Sequence, residues 1–379
     1  MSGETVLIAA FSGRSLAQSA RRAGYRPLVA DAFGDLDTRR SAEGLRVLDG
    51  AMQTGFRTKP LIAALTELSQ SARSAPIGLV LGSGFEDKPR LVAALASRFK
   101  LLGSDAATYK ACKDPRHFFS LLDKLGITHP ETQTEPPADP AGWISKRVGG
   151  SGGRHIRTCV GPQRVKPRRY FQKLLEGDRI SVSGVFFSAP SSLLALTRQW
   201  ISPTPEQPYR FGGAVSLPSI DSDVRHRIHD AATAVGNALQ LEGMASLDFL
   251  VKNDTPYLLE VNPRPGASLD VIDDEAGFLF RAHIAMGLGQ PRAPGFPNIK
   301  AYPLAVAMAI LHADRGPIVL GDIPWPLWSA DRGAPGTFIP QGAPLATALA
   351  EAATADAAEA LVRKRLAELE DLIYGHAKS

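Results

Sequence analysis

The residues best suited to do chemistry lie at the ends of two short apolar stretches in the second half of the chain. Glu260 and Asn262 are two residues apart, so on an extended strand their side chains point to the same face. Asp248 lies in the preceding apolar stretch, and the turn-forming residues 252–256 predict a β-hairpin that places it beside the other two. Converging carboxylate and carboxamide oxygens suit a hard cation such as Mg²⁺ or Mn²⁺.

Each carboxylate could instead be a solvated strand residue, which is the usual position of a charged side chain. However, most non-turn residues from 244 to 261 are apolar, which predicts central, buried strands. A buried carboxylate needs a partner, and a metal ion that carries nucleotide phosphates would explain all three side chains together. Arg264 follows two residues after Asn262 and supplies a permanent planar charge suited to phosphate.

The segments Asp-Phe-Leu-Val at 248–251 and Leu-Leu-Glu-Val-Asn-Pro-Arg at 258–264 resemble the metal-binding end of the ATP-grasp superfamily of carboxylate–amine ligases. The resemblance extends over roughly residues 77–290. It implies ATP and Mg²⁺ or Mn²⁺ as cofactors. The implied metal ligands are Asp248, Glu260 and Asn262.

The same resemblance implies three catalytic residues. In the family, the loop after Asn262 faces the acceptor substrate and the acyl phosphate, so Arg264 and Ser268 are expected to contact the reacting groups. Arg198 and Arg210 fall near the position of an arginine that serves the γ-phosphate or the acyl phosphate, and Arg210 is the one we predict to be catalytic.

A glycine-rich loop follows the predicted strand that carries Lys146. Glycines let backbone N–H groups approach oxyanions closely, and a lysine adds a point charge. The resemblance implies that Lys146 binds the α-phosphate and that the loop closes over the phosphates; a flexible surface turn is the alternative. The loop also fits the G-x-S-x-G hydrolase elbow, which we exclude because residues 154–160 predict a strand where that motif needs a helix. The loop residues are Gly149, Gly150, Ser151, Gly152 and Gly153.

Two more segments resemble parts of the ATP site. Lys113 precedes a helix that begins at Asp114 and Pro115, a good N-cap and a good first residue, and it resembles the family's first ATP lysine. Residues 170–182 resemble the hinge, where backbone at Lys173 and Leu174 would meet the adenine edge. The remaining implied contacts are Gln172 near the adenine and Asp178 on the ribose, with a plain hairpin turn at Gly177-Asp178 as the alternative.

The first hundred residues alternate between predicted strands and helices, which is the pattern of a parallel α/β sheet. No G-x-G-x-x-G or G-x-x-x-x-G-K-[ST] motif is present, which argues against a dinucleotide site and a P-loop. The loop 82–86 ends a predicted strand, where such sheets bind ligands, so it is a predicted substrate loop, with a plain turn as the alternative. The predicted domains are residues 1–105, 106–295 and 296–379.

Composition narrows the class of protein. The 379 residues carry a net charge of +5 and two cysteines without metal-ligand spacing, and no signal peptide or membrane span is predicted, so we expect a cytoplasmic enzyme. The basic run 164–169 suggests nucleic acid, but it lacks interleaved aromatic residues, and a solvated loop is the better interpretation. We predict no nucleic-acid or membrane partner; a homodimer is an open alternative to a monomer.

The expected fold is α/β and α+β: an ATP-grasp fold with an N-terminal Rossmann-like domain and a small C-terminal β/α extension. The expected function is an ATP-dependent ligase that joins a small-molecule carboxylate to an amine through an acyl phosphate. Phrases such as Gly-Ser-Gly-Phe-Glu at 82–86 resemble ligases of tetrahydromethanopterin or methylofuran-type cofactor biosynthesis, one of which joins glutamate to tyramine. The alternatives are a biotin-carboxylase-like carboxylase and a non-catalytic ATP-binding regulatory module.

Overall fold

The N-terminal part of the molecule is a parallel sheet covered by helices. The computed structural model describes residues 3–187, 193–217, 220–290 and 304–377. Its first sheet has the order β3-β2-β1-β4, with every pairing parallel, as the alternating pattern predicted. The elements are β1 (Thr5–Ala10), α1 (Arg14–Arg22), β2 (Arg26–Asp31), α2 (Leu36–Ser41), β3 (Gly44–Val47), α3 (Ala51–Thr54), α4 (Thr58–Gln70), β4 (Leu79–Leu81) and α5 (Pro89–Ala96).

Two helices and a small antiparallel sheet follow. The helices are α6 (Ala106–Lys113) and α7 (Pro115–Leu125), and the sheet has the order β5-β8-β6-β7, built from β5 (Thr132–Gln133), β6 (Trp143–Arg147), β7 (Arg157–Thr158) and β8 (Arg169–Lys173). The predicted cap of α7 is confirmed, because the Asp114 side chain accepts from the N–H groups of Arg116 and His117. The strand predicted over 154–160 is mostly wrong: only β7 pairs there.

The largest element is an antiparallel sheet of eight strands in the order β13-β12-β9-β10-β11-β14-β18-β16. It combines strands on both sides of residue 296, so the predicted C-terminal extension continues this sheet and carries helix α11 on it. The remaining elements are β9 (Asp178–Phe186), β10 (Leu193–Ile201), β11 (Phe211–Ser216), α8 (Ser222–Ala238), β12 (Gly243–Lys252), β13 (Thr255–Asn262), α9 (Leu269–Ile272), α10 (Phe278–Gly287), β14 (Ala305–His312), β15 (Ile318–Val319), β16 (Ser329–Ala330), β17 (Phe338–Ile339), β18 (Pro344–Ala352) and α11 (Ala355–Gly375).

Two faces of this sheet bury different cores. On the front face, Val185 and Met244 pack against α9, α10 and the N-terminal unit. On the back face, Val182 and Leu247 pack against apolar residues of α8. Because side chains alternate along a strand, residues 244, 246 and 248 all share the front face. No described helix is long and apolar enough to cross a membrane.

Candidate nucleotide and metal site

The hairpin of β12 and β13 brings the three predicted metal ligands together. Asp248 lies opposite Glu260, and Asn262 lies opposite Ser246. The Asn262 Nδ2 is 3.3 Å from Asp248 Oδ2 and 3.3 Å from Glu260 Oε1. The hairpin prediction is therefore confirmed, but the prediction that both strands are central is wrong, since β13 is the edge strand of its sheet.

Two lysines from other elements complete the group. Lys113, the last residue of α6, places its Nζ 2.8 Å from Asn262 Oδ1 and 4.0 Å from Glu260 Oε2. Lys146 lies buried in β6, close enough to Glu260 and Asp248 for both carboxylates to act on its pKa. Lys113, Lys146, Asp248, Glu260 and Asn262 are called the charged cluster below.

The charges within the cluster shift the pKa values of its two carboxylates in opposite directions. Burial acts to raise the pKa of Glu260, but the charges of Lys113, Lys146 and His155 outweigh it and hold that pKa at about 2. Burial and the Glu260 charge raise the pKa of Asp248 to about 6, against a 2.7 Å hydrogen bond from Ser181 Oγ. Asp248 is therefore the carboxylate that still lacks a compensating positive charge from the described part of the chain.

The donor set fits Mg²⁺ that is shared with phosphate. Among the described residues, no group of three or more histidine, cysteine or acidic side chains is placed to hold a metal. The charged cluster offers two carboxylates and one carboxamide. Mg²⁺ is usually held by one or two protein carboxylates together with substrate phosphates and water, so this set suits a nucleotide-borne ion better than a resident structural metal.

The glycine-rich loop is pressed between two other parts of the chain. A Cβ added at Gly149 would lie 2.6 Å from Asp87, and one at Gly153 would lie 1.8 Å from the Tyr209 carbonyl oxygen. Both glycines also have positive φ, 71° and 72°. The loop therefore needs glycine at these two positions to adopt its conformation, and the alternative of a flexible surface turn does not describe it.

A small, partly open cavity lies beside this loop. Gly149, Gly150, Lys113 and Glu260 form its polar side. Its apolar side is formed by Phe118, Phe119, Tyr170 and Leu259. A cavity with one charged and one aromatic wall is suited to a ligand that has both a phosphate and a flat apolar part.

The predicted hinge joins the two antiparallel sheets, but the backbone N–H groups predicted to meet the adenine already donate hydrogen bonds within the protein. The backbone N–H of Lys173 donates to Glu131 O and that of Leu174 donates to Gly142 O, both at 2.8 Å. The Gln172 amide donates to Thr132 Oγ1 at 3.0 Å. Adenine contacts at Lys173 and Leu174 are thus restricted to carbonyl groups.

Asp178, the predicted ribose contact, is exposed at the start of β9 and lies opposite Val251. Gly177 before it packs on the Val251 carbonyl, where an added Cβ would lie 2.4 Å away. The alternative of a plain hairpin turn at 177–178 is wrong, because β8 and β9 belong to different sheets; the contact with Val251 gives Gly177 a packing reason instead.

Arg264 is held by an acidic residue from the N-terminal unit. Its Nε and Nη2 lie 2.7 and 2.6 Å from Glu86 Oε1, and both side chains are buried. Burial acts to raise the pKa of Glu86, but Arg264 and Lys113 lower it below its usual value. The predicted substrate loop 82–86 therefore reaches the site, and Glu86 is the residue through which it does so. The sequence signal was an acidic residue just after a parallel strand.

Three hydrogen-bonding side chains lie around the position that a Cβ atom on Gly266 would occupy. A Cβ added at Gly266 would lie 3.3 Å from Arg264 Nη1, 3.6 Å from Ser268 Oγ and 4.0 Å from Ser246 Oγ. Ser268 is further held by Ser183, with their hydroxyl oxygens 3.0 Å apart. These four residues, Ser246, Arg264, Gly266 and Ser268, are called the cradle below. Sequence reasoning missed Ser246, although its spacing of two from Asp248 already placed it on the same strand face.

The two other arginines are paired with acidic residues outside the charged cluster. Arg198 pairs with Asp356 and Glu359 of α11 on the back face of the sheet, because its neighbour Thr197 lies opposite Ser181 on the front face. The Arg210 guanidinium bonds to Asp314 at 2.8 and 2.6 Å and to Ser202. These contacts do not support the predicted phosphate role of either arginine, including the catalytic role predicted for Arg210.

The profile of the ATP-grasp domain family matches residues 112–268. The carbamoyl phosphate synthase large chain of Myxococcus xanthus is 23% identical over 236 residues, which is 55% of this chain but only 22% of that protein's length. The chain therefore corresponds to about a fifth of that relative.

Solved structures with a similar fold cover the whole chain. The biotin carboxylase of Campylobacter jejuni, solved as a β-γ-ATP complex, superposes with a TM-score of 0.72 over 99% of this chain and 91% of its own, at 15% identity. An L-amino acid ligase of Bacillus licheniformis superposes with a TM-score of 0.69 over 98% of both chains, also at 15% identity. At this identity the likeness concerns the fold. Together with the profile match, it shows that the chain carries an ATP-grasp domain within an ATP-grasp fold.

Proposed function

We propose that the protein is an ATP-dependent ligase that forms an amide bond between a small-molecule carboxylate and an amine. The observation that carries this proposal is the placement of the cradle next to the charged cluster: Asn262 of the cluster lies opposite Ser246 of the cradle. A phosphate held by the cluster and a carboxylate held by the cradle would be neighbours. We place this chemistry in the cytoplasm, as the composition predicts.

The proposed function assigns a role in binding ATP and the metal ion to each residue of the charged cluster. Lys113, Lys146 and the glycine-rich loop would bind the phosphates of ATP, and Asp248, Glu260 and Asn262 would hold Mg²⁺ or Mn²⁺. The ion, when bound, neutralises charge on the transferred phosphoryl group. The carboxamide of Asn262 would turn its oxygen toward the ion, which releases Lys113 from its present bond and leaves its ammonium for phosphate.

The reaction balances without a redox partner. A carboxylate oxygen attacks the γ-phosphorus of ATP, and the bond from that phosphorus to ADP breaks. The amine nitrogen then attacks the acyl carbon, the carbon–oxygen bond to phosphate breaks, and the amine loses a proton. In the second step negative charge develops on the oxygen of the acyl carbon, near the cradle, where Arg264 Nη1 and two hydroxyls can donate hydrogen bonds.

The decisive experiment supplies purified protein with Mg-ATP and pairs of acids and amines. Glutamate with tyramine is the first pair to test, because the sequence resembles the ligases of one-carbon-carrier cofactor biosynthesis. We expect ADP and phosphate to form in step with amide, and hydroxylamine to trap the acyl phosphate as a hydroxamate when the correct acid is present. Formation of AMP and pyrophosphate would contradict the acyl-phosphate mechanism.

The same assay separates the two other functions. A carboxylase is the second candidate because the fold is similar to that of biotin carboxylase. It would release ADP only with bicarbonate and a carboxyl acceptor. A regulatory module would bind ATP without turnover under any of these conditions. Either result would replace the ligase proposal.

A further inference from the structure

His155 lies two residues after the glycine-rich loop, and its ring packs back onto the backbone of the loop. A Cβ added at Gly150 would lie 2.2 Å from His155 Cγ and 2.5 Å from its Nδ1. Gly150 itself lines the cavity beside Lys113 and Glu260. The imidazole therefore occupies the space that a side chain at residue 150 would take, and it lies next to a residue that lines the polar side of the cavity.

The main chain of His155 is anchored, whereas one of its two ring nitrogens lacks a hydrogen-bond partner of good geometry in the described part of the chain, although the Ser151 backbone also acts on the ring. Arg169 donates to the His155 carbonyl at 3.0 Å and to Ser145 O and Oγ at 2.7 Å. By contrast, the Nδ1 of His155 is buried and has no hydrogen-bond partner among the described residues. A buried polar atom without a partner is costly, so a ligand that supplies the partner would bind more tightly here.

The charges that act on the ring are those of the charged cluster. Burial lowers the pKa of His155 to about 4, and the charges of Glu260, Lys146 and Lys113 also act on it. The ring is therefore neutral at pH 7 and lies within the electrostatic reach of the residues assigned to metal and phosphate. A neutral imidazole can donate a hydrogen bond to a phosphate oxygen without adding charge.

We propose that His155 is a nucleotide-binding residue whose Nδ1 donates a hydrogen bond to a phosphate of ATP, with Gly150 fixing the ring in place. The inference rests on the proposed ATP-dependent function and adds one specific contact to it.

The test measures the affinity of variants for adenosine, AMP, ADP and ATP, each with Mg²⁺, by calorimetry. His155→Ala is expected to lose about ten- to a hundredfold in affinity, as for a hydrogen bond to a charged group. The loss should begin at the nucleotide that carries the contacted phosphate and should be absent for adenosine. His226→Ala, on the exposed face of α8, is the matched control and should bind every ligand as the wild type does.

Two conservative variants identify the nitrogen. Asparagine places an amide near the position of Nδ1, so His155→Asn should recover most of the lost affinity. Glutamine places its amide near the position of Nε2, so His155→Gln should not. If both variants bind ATP as poorly as His155→Ala, or if glutamine alone restores binding, the assignment to Nδ1 is wrong.

Gly150→Ala supplies a second, independent test. The added methyl would displace the imidazole, so this variant should lose ATP affinity in the wild-type background and lose little more in the His155→Ala background. Equal losses in both backgrounds, or equal losses for ATP and adenosine, would show that residue 155 only supports the loop. If the wild type binds no ATP, both this inference and the proposed function fail; if it binds ATP and His155→Ala binds it equally well, only this inference fails.

Discussion

The buried ion pair between Glu86 and Arg264 links the N-terminal unit to the cradle, and its removal should be felt as a loss of stability. The two side chains are only 3% and 9% exposed. Breaking a buried pair by removing one partner costs about 3–5 kcal/mol, because the other charge is left buried and unpaired. We expect a loss of this size in the free energy of unfolding for Glu86→Ala. Glu86→Gln keeps an acceptor for Arg264 and should lose about 1.5–3 kcal/mol.

The chain contains a matched control for this prediction. Glu67 pairs with Arg46 at 3.0 Å, but the two side chains are 58% and 47% exposed. Exposed pairs contribute about 0.2–1 kcal/mol, so Glu67→Gln should change stability by no more than that. Urea unfolding at pH 7, followed by tryptophan fluorescence, measures both. Equal, small losses for Glu86→Ala and Glu67→Gln would refute the reasoning from burial.

The stability contributed by the Glu86–Arg264 pair should fall as the solution becomes acidic. Burial acts to raise the pKa of Glu86, and Arg264 and Lys113 bring it below its usual value. A lowered pKa in the folded state means that the stabilising contribution is fully present above the unfolded value, about 4.3. It is lost as the pH falls through the lower folded value. The difference in stability between the wild type and Glu86→Gln should therefore be constant from about pH 6 to 8 and shrink in more acidic solution.

Three further predictions concern the charged residues. Glu260→Gln should lower Mg²⁺-dependent ATP turnover at least about tenfold, because one charge is lost from the metal site; near-normal turnover at low Mg²⁺ would contradict that site. Lys113→Ala and Lys146→Ala should each weaken ATP binding in calorimetry and leave adenosine binding unchanged; unchanged ATP affinity in both would remove the phosphate assignment. Arg210→Met should lose about 1–3 kcal/mol of stability through its bonds to Asp314 with ATP affinity retained; the reverse result would restore its predicted phosphate role.

The hairpin of β12 and β13 could be predicted because the residues that determine it lie within one short segment. The spacing of two between Glu260 and Asn262, the apolar strands and the turn at 252–256 all lie within a short segment, and together they set the face and the register. The glycine-rich loop and Lys146 were predicted for the same reason. The edge position of β13 could not be predicted in this way, because the order of strands in the sheet depends on segments far away in the sequence.

The direction of Arg198 shows where such reasoning stops. The sequence predicted that Arg198 falls in a segment near the site, but not which face of the sheet its side chain occupies. That face depends on the register of β10 with β9, and in this register Thr197, not Arg198, shares the front face with Ser181. A shift of one residue would have reversed the outcome. The partner of Arg264 was equally hidden, since Glu86 lies 178 residues earlier in the chain.

The pairing with Glu86 also limits what Arg264 can offer a substrate. Two of its three nitrogens, Nε and Nη2, are directed at the Glu86 carboxylate. The third, Nη1, gives one hydrogen bond to Pro265 O at 3.1 Å and faces the space beside Gly266. Arg264 can therefore present a single N–H to the cradle rather than the two-pronged grip that arginine makes on a free carboxylate. That geometry, completed by the hydroxyls of Ser246 and Ser268, suits one oxygen atom on which charge develops during acyl transfer.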